Sequence, residues 1–339
     1  MLVDVDIKKA PEDMPVEAKM CASVGTDNPE DEFLAARLLF LTTYGTTLDL
    51  KSLIEKHDLP GILTKNLERH AAALTASKPV PENSMPEMAV AETLKLLFNV
   101  THFCKDKTSS FSGAIQPIIT LLCNAHINSG KPLEPRVSCM VNALLNLDMG
   151  AEEVRPVVYP TEQPMTLAQR LIDLLGLASK AYKDDELEPV AALVGVIRAV
   201  HGYAPEDVRQ SIREKLLPTE ADRNEVLGRS GTLTSWLLKN SINPVAPQLR
   251  EAISDLFFEM SDKDPSVFVD NVGFGFASGF LANRNLSVPE NAMGGNDHSR
   301  PVNPVTGQFL DRERHPDVPE MTEEEKEREA ERLFVLFER

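Results

Sequence analysis

The chain has 339 residues, 42% of them hydrophobic and only 6% aromatic, with a formal net charge of −17. That length can bury a large core, as two domains or one elongated array, while the acidic balance argues against a nucleic-acid partner, whose phosphates need clustered positive charge. No run of about 18 apolar residues is present to span a membrane, and the opening MLVDVDIKKAPEDMPVE lacks the apolar centre of a secretory signal, so a cytoplasmic protein is expected.

Residues 1–30 mix charges with Pro11, Pro15 and Pro29 and show no sustained periodicity, so they are expected to form a poorly ordered leader. From Asp31 a succession of helical patterns begins with EFLAARLLFLTTY, LDLKSLIEKH and the stretch Gly61–Ala76, which ends at the three prolines of KPVPENSMPE (78–87). MAVAETLKLLFNVTHF, GAIQPIITLLCNAHI and RVSCMVNALLNL follow, and then the proline-bearing connection 150–164. Helical patterns resume as LAQRLIDLLGLASKAY, LEPVAALVGVIRAVHGY, PEDVRQSIREKLL, LTSWLLKN and APQLREAISDLFFEM. Leu38, Leu94, Val141, Leu193 and Ile253 each sit inside a comparable apolar run, spaced by roughly 45–60 residues, near the length of a two- or three-helix repeat. Such units cannot bury their apolar faces alone and stack on their neighbours. Strand alternation with Asn-Gly or Asp-Gly turns is lacking. The pattern predicts an all-α fold, with a solenoid over 31–286 and a helical bundle as the structural alternative.

Residues 287–320 are rich in Pro, Gly, Asn and charge and read as a linker. Residues 321–339 predict an amphipathic helix: Thr322 and Glu325 form a capping box, and Ala330, Leu333, Phe334 and Phe337 make one apolar stripe. A helix this short is marginal alone, so the stripe needs a groove, on this chain or on a partner.

Catalytic constellations are missing. The chain carries no G-x-x-x-x-G-K-S/T phosphate loop, H-E-x-x-H or G-x-S-x-G. The GFGFASG run at 273–279 has the wrong spacing for a dinucleotide fingerprint and reads as a tight helix–helix turn with close backbone packing. Cys21, Cys104, Cys123 and Cys139 lack metal-ligand spacing, and Cys123 and Cys139 read as small buried hydrophobes. His57, His70 and His102 each read as standing near a helix end. Metal, cofactor and enzymatic chemistry are not expected. The better signal is polar residues four apart inside apolar runs: Lys95 and Asn99, then Asn142 and Asn146. An Asn amide both donates and accepts, so it can clamp a peptide backbone; equally, it can bond the neighbouring repeat or solvent.

Five stretches in one order resemble the synembryn family, exchange factors and chaperones for heterotrimeric G-protein α subunits. They are DEFLAARLLFLTTYGT (31–46), MAVAETLKLLFNVTHF (88–103), RVSCMVNALLNLDM (136–149), DPSVFVDNVGFGFASGFLA (264–282), and the tail NPVTG (303–307) with MTEEEKEREAERL. The resemblance implies an armadillo/HEAT-like solenoid, monomeric, reaching the cell cortex through Gα in its GDP-bound or nucleotide-free state. It implies that the Gα C-terminal helix lies in the concave groove, with Leu34 and Phe98 against its apolar side chains. Arg37 and Lys95 would meet its carboxylates, and Asn99, Asn142 and Asn146 its backbone. Lys239, Arg250, Phe334 and Phe337 would face the body of the G protein. Residues 1–30 match none of the family's N-terminal repeats, the acidic Ser/Thr-rich tract before NPVTG is replaced by SVPENAMGGNDHSRP, and the chain stops at Arg339. A shortened form is therefore expected. A peptide-binding scaffold without exchange activity is the alternative.

Overall fold

A computed structural model describes residues 16–44, 48–76, 84–183, 186–287 and 300–313, together with Lys326 and Arg328. The helices are α1 (Val16–Val24), α2 (Pro29–Thr42), α3 (Leu50–Glu55), α4 (Leu59–Ala76) and α5 (Met85–Phe103). After a 3₁₀ stretch, Lys105–Ala114, come α6 (Ile115–Asn124), α7 (Pro135–Asn146), α8 (Arg155–Val158), α9 (Thr166–Ala181) and α10 (Val190–Tyr203). The series ends with α11 (Glu206–Leu216), α12 (Leu233–Asn240), α13 (Pro247–Met260), α14 (Pro265–Val272) and α15 (Phe274–Asn283). Many of the prolines that punctuate the sequence stand in first turns, where a missing N–H costs nothing: Pro29, Pro86, Pro135, Pro247 and Pro265. Asn28, Asp49, Thr232 and Asp264 cap their helices by accepting backbone N–H bonds.

The helices stack in two rows. One row runs α2, α5, α7, α10, α13, each packed on the next; the other runs α1, α4, α6, α9, α12. The rows are stitched by the pairs α1–α2, α4–α5, α6–α7, α9–α10 and α12–α13. This is the expected all-α solenoid. The five positions at repeat spacing all fall on the first row, but Leu38 is 54% exposed while Leu39 takes the buried register on α2. Between α7 and α10 the fit is close: a Cβ on Gly195 would stand 2.7 Å from a methyl of Leu145.

Several expectations need correction. Helix α1 lies within the stretch read as a poorly ordered leader, and its Cys21 and Val24 are fully packed against the core. Its pattern is too short to register as periodic. His70 stands inside α4 rather than at its end, and its Nε2 meets both oxygens of Glu32 at 2.9 and 3.1 Å. Glu32 is 0% exposed and also accepts from Arg69 Nη2 at 2.6 Å and Thr93 Oγ1 at 2.8 Å, which joins α2 to α4 and α5. Burial alone would raise its pKa, but these donors hold it below the usual carboxylate value. Cys123 and Cys139 are half-buried rather than buried, and all four cysteines are free. The tail-helix reading lies outside the described residues except at Lys326 and Arg328, whose backbones are helical.

Part of the expected linker is a tied-down strap. Residues 300–313 run between the short 3₁₀ turn Asp222–Asn224 and the start of α15, closed on themselves by the bridge Val302–Phe309. Gly273, at φ +84°, ends α14 and starts α15 as the GFGFASG reading predicted. The first two N–H groups of α15, on Phe274 and Gly275, donate to the carbonyls of Pro304 and Val305 at 2.8 and 3.2 Å. NPVTG therefore serves as the N-terminal cap of that helix. Arg223, only 4% exposed, reaches the carbonyls of Gly307, Asp270 and Asn271 at 3.0, 2.7 and 3.0 Å. Its own carbonyl accepts from Phe309 N–H at 2.8 Å.

Removing Arg223 would take this donor away from one buried and two half-buried carbonyls. Arg223→Ala should cost about 2–4 kcal/mol locally, read as at least about tenfold faster hydrogen exchange at Phe274, Gly275 and Phe309; unchanged protection there rules the clamp out. A second test concerns His201, 1% exposed with neither ring nitrogen bonded. Burial, then the charges of Arg213 and Arg209, push its pKa from 6.5 down to about 4. The unfolded chain therefore binds the extra proton between those values, so stability is full above pH 6.5 and is lost as pH falls toward 4. Over that window the loss is on the order of 3 kcal/mol. Thermal melts from pH 7 to 4.5 should show it, and His201→Phe should flatten the slope; an unchanged slope excludes His201 as its source.

Candidate partner-binding face

The first row packs against the second along one side and leaves the other side open. On α2 the residues on that open side include Leu34, Arg37, Leu38 and Leu41; on α5 they are Lys95, Phe98 and His102; on α7, Asn142 and Leu145. Helical spacing of three and four puts each set on one stripe, and contact between α2, α5 and α7 makes the stripes one surface. Leu38, Leu41, Tyr44, Phe103 and Leu145 are each between 41% and 54% exposed, an unusual density of apolar side chains for an acidic protein. Phe98 stacks on His102 with centroids 5.8 Å apart, and Tyr44 meets Phe103 edge-on at 6.4 Å.

The charge on this face comes from one carboxylate shared by two cations. Glu92 is 3% exposed, and its Oε1 accepts from Lys95 Nζ at 2.7 Å and Arg37 Nη1 at 3.3 Å. Two positive groups against one negative leave a net single positive charge among apolar side chains, within a chain that is acidic overall. Arg37 keeps half its side chain in solvent and lies 5.8 Å over the Phe33 ring. Toward α10 and α13 the character changes: Arg198 and Arg284 both pair with Asp255, at 2.9 and 2.5 Å, and the surface is polar and compensated.

The expected site residues do not all stand free. Leu34, Arg37, Lys95, Phe98 and Asn142 reach the open side. Asn99 is 4% exposed; its Nδ2 donates to Thr43 Oγ1 at 2.7 Å and its Oδ1 accepts from the Tyr44 hydroxyl at 3.4 Å. Asn146 Nδ2 donates to the Phe98 carbonyl at 3.1 Å and to Thr101 Oγ1 at 3.3 Å. Each thus bonds the preceding helix of the row, the alternative left open by the spacing. Lys239 on α12 and Arg250 on α13 are exposed at the opposite end, and Phe334 and Phe337 lie outside the described residues. Glu92 is the residue sequence reasoning missed, although its place three before Lys95 in an apolar run was a usable signal. Among the described residues no cluster of three or more His, Cys, Asp or Glu side chains could hold a metal ion. Nor is any described helix long and apolar enough to cross a membrane.

Comparison with known proteins bears on this geometry. The family model described as guanine nucleotide exchange factor synembryn matches residues 9–339. A synembryn-like chaperone of Schizosaccharomyces pombe is 22% identical over 94% of this chain, and the chaperone Ric-8A of Macaca fascicularis is 26% identical over 92%. Ric-8A of Xenopus laevis is 25% identical over 91%. The chain spans 63% of the length of these curated relatives. With all but the first few residues inside the family's pattern, the chain belongs to the synembryn family.

Proposed function

We propose that this chain is an exchange factor and chaperone for the α subunit of heterotrimeric G proteins, with the open face of α2, α5 and α7 receiving the C-terminal helix of Gα. The observation that supports this reading most is the apolar surface around a single uncompensated positive charge, on a member of the synembryn family. An amphipathic helix lays its apolar side on Leu34, Leu38 and Phe98. Its terminal carboxylate or acidic side chains meet Lys95 and Arg37, which keep Glu92 neutralised at the same time. Asn142 is free to bond the peptide; Asn99 and Asn146 hold the helices in register beneath it.

No bond chemistry is required. A binder that prefers nucleotide-free Gα over GDP-bound Gα shifts the population toward the empty state by the difference in affinity. Drawing the C-terminal helix of Gα onto this face loosens its nucleotide pocket, GDP leaves, and GTP entry releases the complex. Equal binding to both nucleotide states, with no change in GDP release, marks the chain as a peptide-binding scaffold instead.

The test is GDP release from purified Gα with and without this chain, alongside co-elution in GDP-bound and nucleotide-free forms. Acceleration and a complex seen only without nucleotide are expected. Phe98→Ala should weaken capture roughly tenfold to a hundredfold, the loss of one buried aromatic. Lys95→Met keeps the aliphatic stem and leaves Arg37 to neutralise Glu92, so it removes only the spare charge. It should weaken capture at low salt more than at high salt, and wild-type capture by both variants would refute the assignment of this face.

A further inference from the structure

A groove of about 380 Å³ opens at the far end of the solenoid, where the α12–α13 turn meets α15. Phe276 and Phe280 line it, and Ile242, 54% exposed, stands at its edge. A Cβ on Gly279 would meet nothing within 4 Å, so this side of α15 admits a close neighbour. Arg284 at the rim is held by Asp255 and Glu251, whereas Arg250 makes no ion pair among the described residues.

We infer that this groove is the seat of the chain's own C-terminal stretch, Met321–Arg339. Reach permits it. The strap delivers the chain to Glu313, whose carboxylate bonds Asn303 Nδ2 at 2.5 Å, beside the residues that cap α15. Eight peptide steps separate Glu313 from Met321, a span of up to roughly 26–29 Å. The whole of α15 is only about 15 Å long, so its far end lies within range. Polarity also matches. With about 100° per residue, Ala330, Leu333, Phe334 and Phe337 form the apolar stripe, and Glu327, Glu331 and Glu338 fall together along one border of it. That border suits Arg250 while the stripe covers Ile242 and the exposed part of Phe276, beside the Phe280 ring that Arg284 overlies. Tethering supplies an effective concentration of about millimolar, enough for a short helix that could not persist alone.

The inference is independent of the exchange reading, because the test contains no G protein. Full-length chain, the double variant Phe334→Asp with Phe337→Asp, and Gly279→Phe, which fills the groove from the solvent side, are compared by limited trypsin cleavage and hydrogen exchange. In both variants, cleavage at Lys326, Arg328 and Arg332 should run about tenfold faster than in wild type, and the double variant should lose protection over residues 276–283. Equal cleavage in all three proteins overturns the inference. So does wild-type protection by the tail on α2, α5 and α7, or protection that falls on dilution, since the occupant would then be another face or a second copy.

Discussion

Lateral burial is the constraint from which the rest of this molecule follows. A pair such as α6–α7 is apolar on more sides than its own partner can cover, so each pair is stable only between the one before and the one after. Leu94, Leu144, Val194 and Ile253 are completely or almost completely buried because a neighbouring repeat lies over them. Burial of that kind sets how many helices stack but is indifferent to small slips between them. Polar groups supply the register. Glu32, with His70, Arg69 and Thr93 around it, has its hydrogen bonds only in one alignment of α2, α4 and α5. A buried carboxylate without those donors would be strongly unfavourable.

The open face is what that stacking leaves over. The first row carries apolar side chains on two sides, one consumed by the core and one unclaimed, and the unclaimed side is where Phe98, Leu145 and Leu41 project. Its charge is likewise derivative: Glu92 is buried by the α2–α5 contact, and its burial fixes Arg37 and Lys95 beside each other. The two cations then repel less than free neighbours would, because the carboxylate between them screens the pair. Binding and folding draw on the same residues here, which makes a change at Glu92 consequential for both.

The architecture was legible because periodicity and proline placement are local signals. The stretches around Leu94, Val141, Leu193 and Ile253 announce themselves by spacing, and Pro135, Pro247 and Pro265 mark where helices begin. What escaped was everything set by long-range contact. Val16–Val24 is too short, and its apolar residues too evenly spread round the helix, to read as a helix until α2 and α4 are there to bury Cys21 and Val24. The strap looked like linker because its bonds to Arg223 and α15 use main-chain carbonyls, which no side-chain pattern records. Asn99 and Asn146 carried the right spacing for a peptide clamp, yet the same amides serve equally to brace one helix against the next. Spacing alone cannot separate these two uses.

Gly195 shows how little material can govern such a stack. A Cβ there would meet only the end methyl of Leu145, a rotatable side chain that is 41% exposed, so a larger residue turns Leu145 outward before it parts α7 from α10. Since α13 packs on α10 and α15 on α13, only a residue too large for Leu145 to clear would widen this seam and shift the helices that follow. The relief of the open face between α7 and α10 is thus tuned near the middle of the chain, by a residue that contributes no side chain of its own.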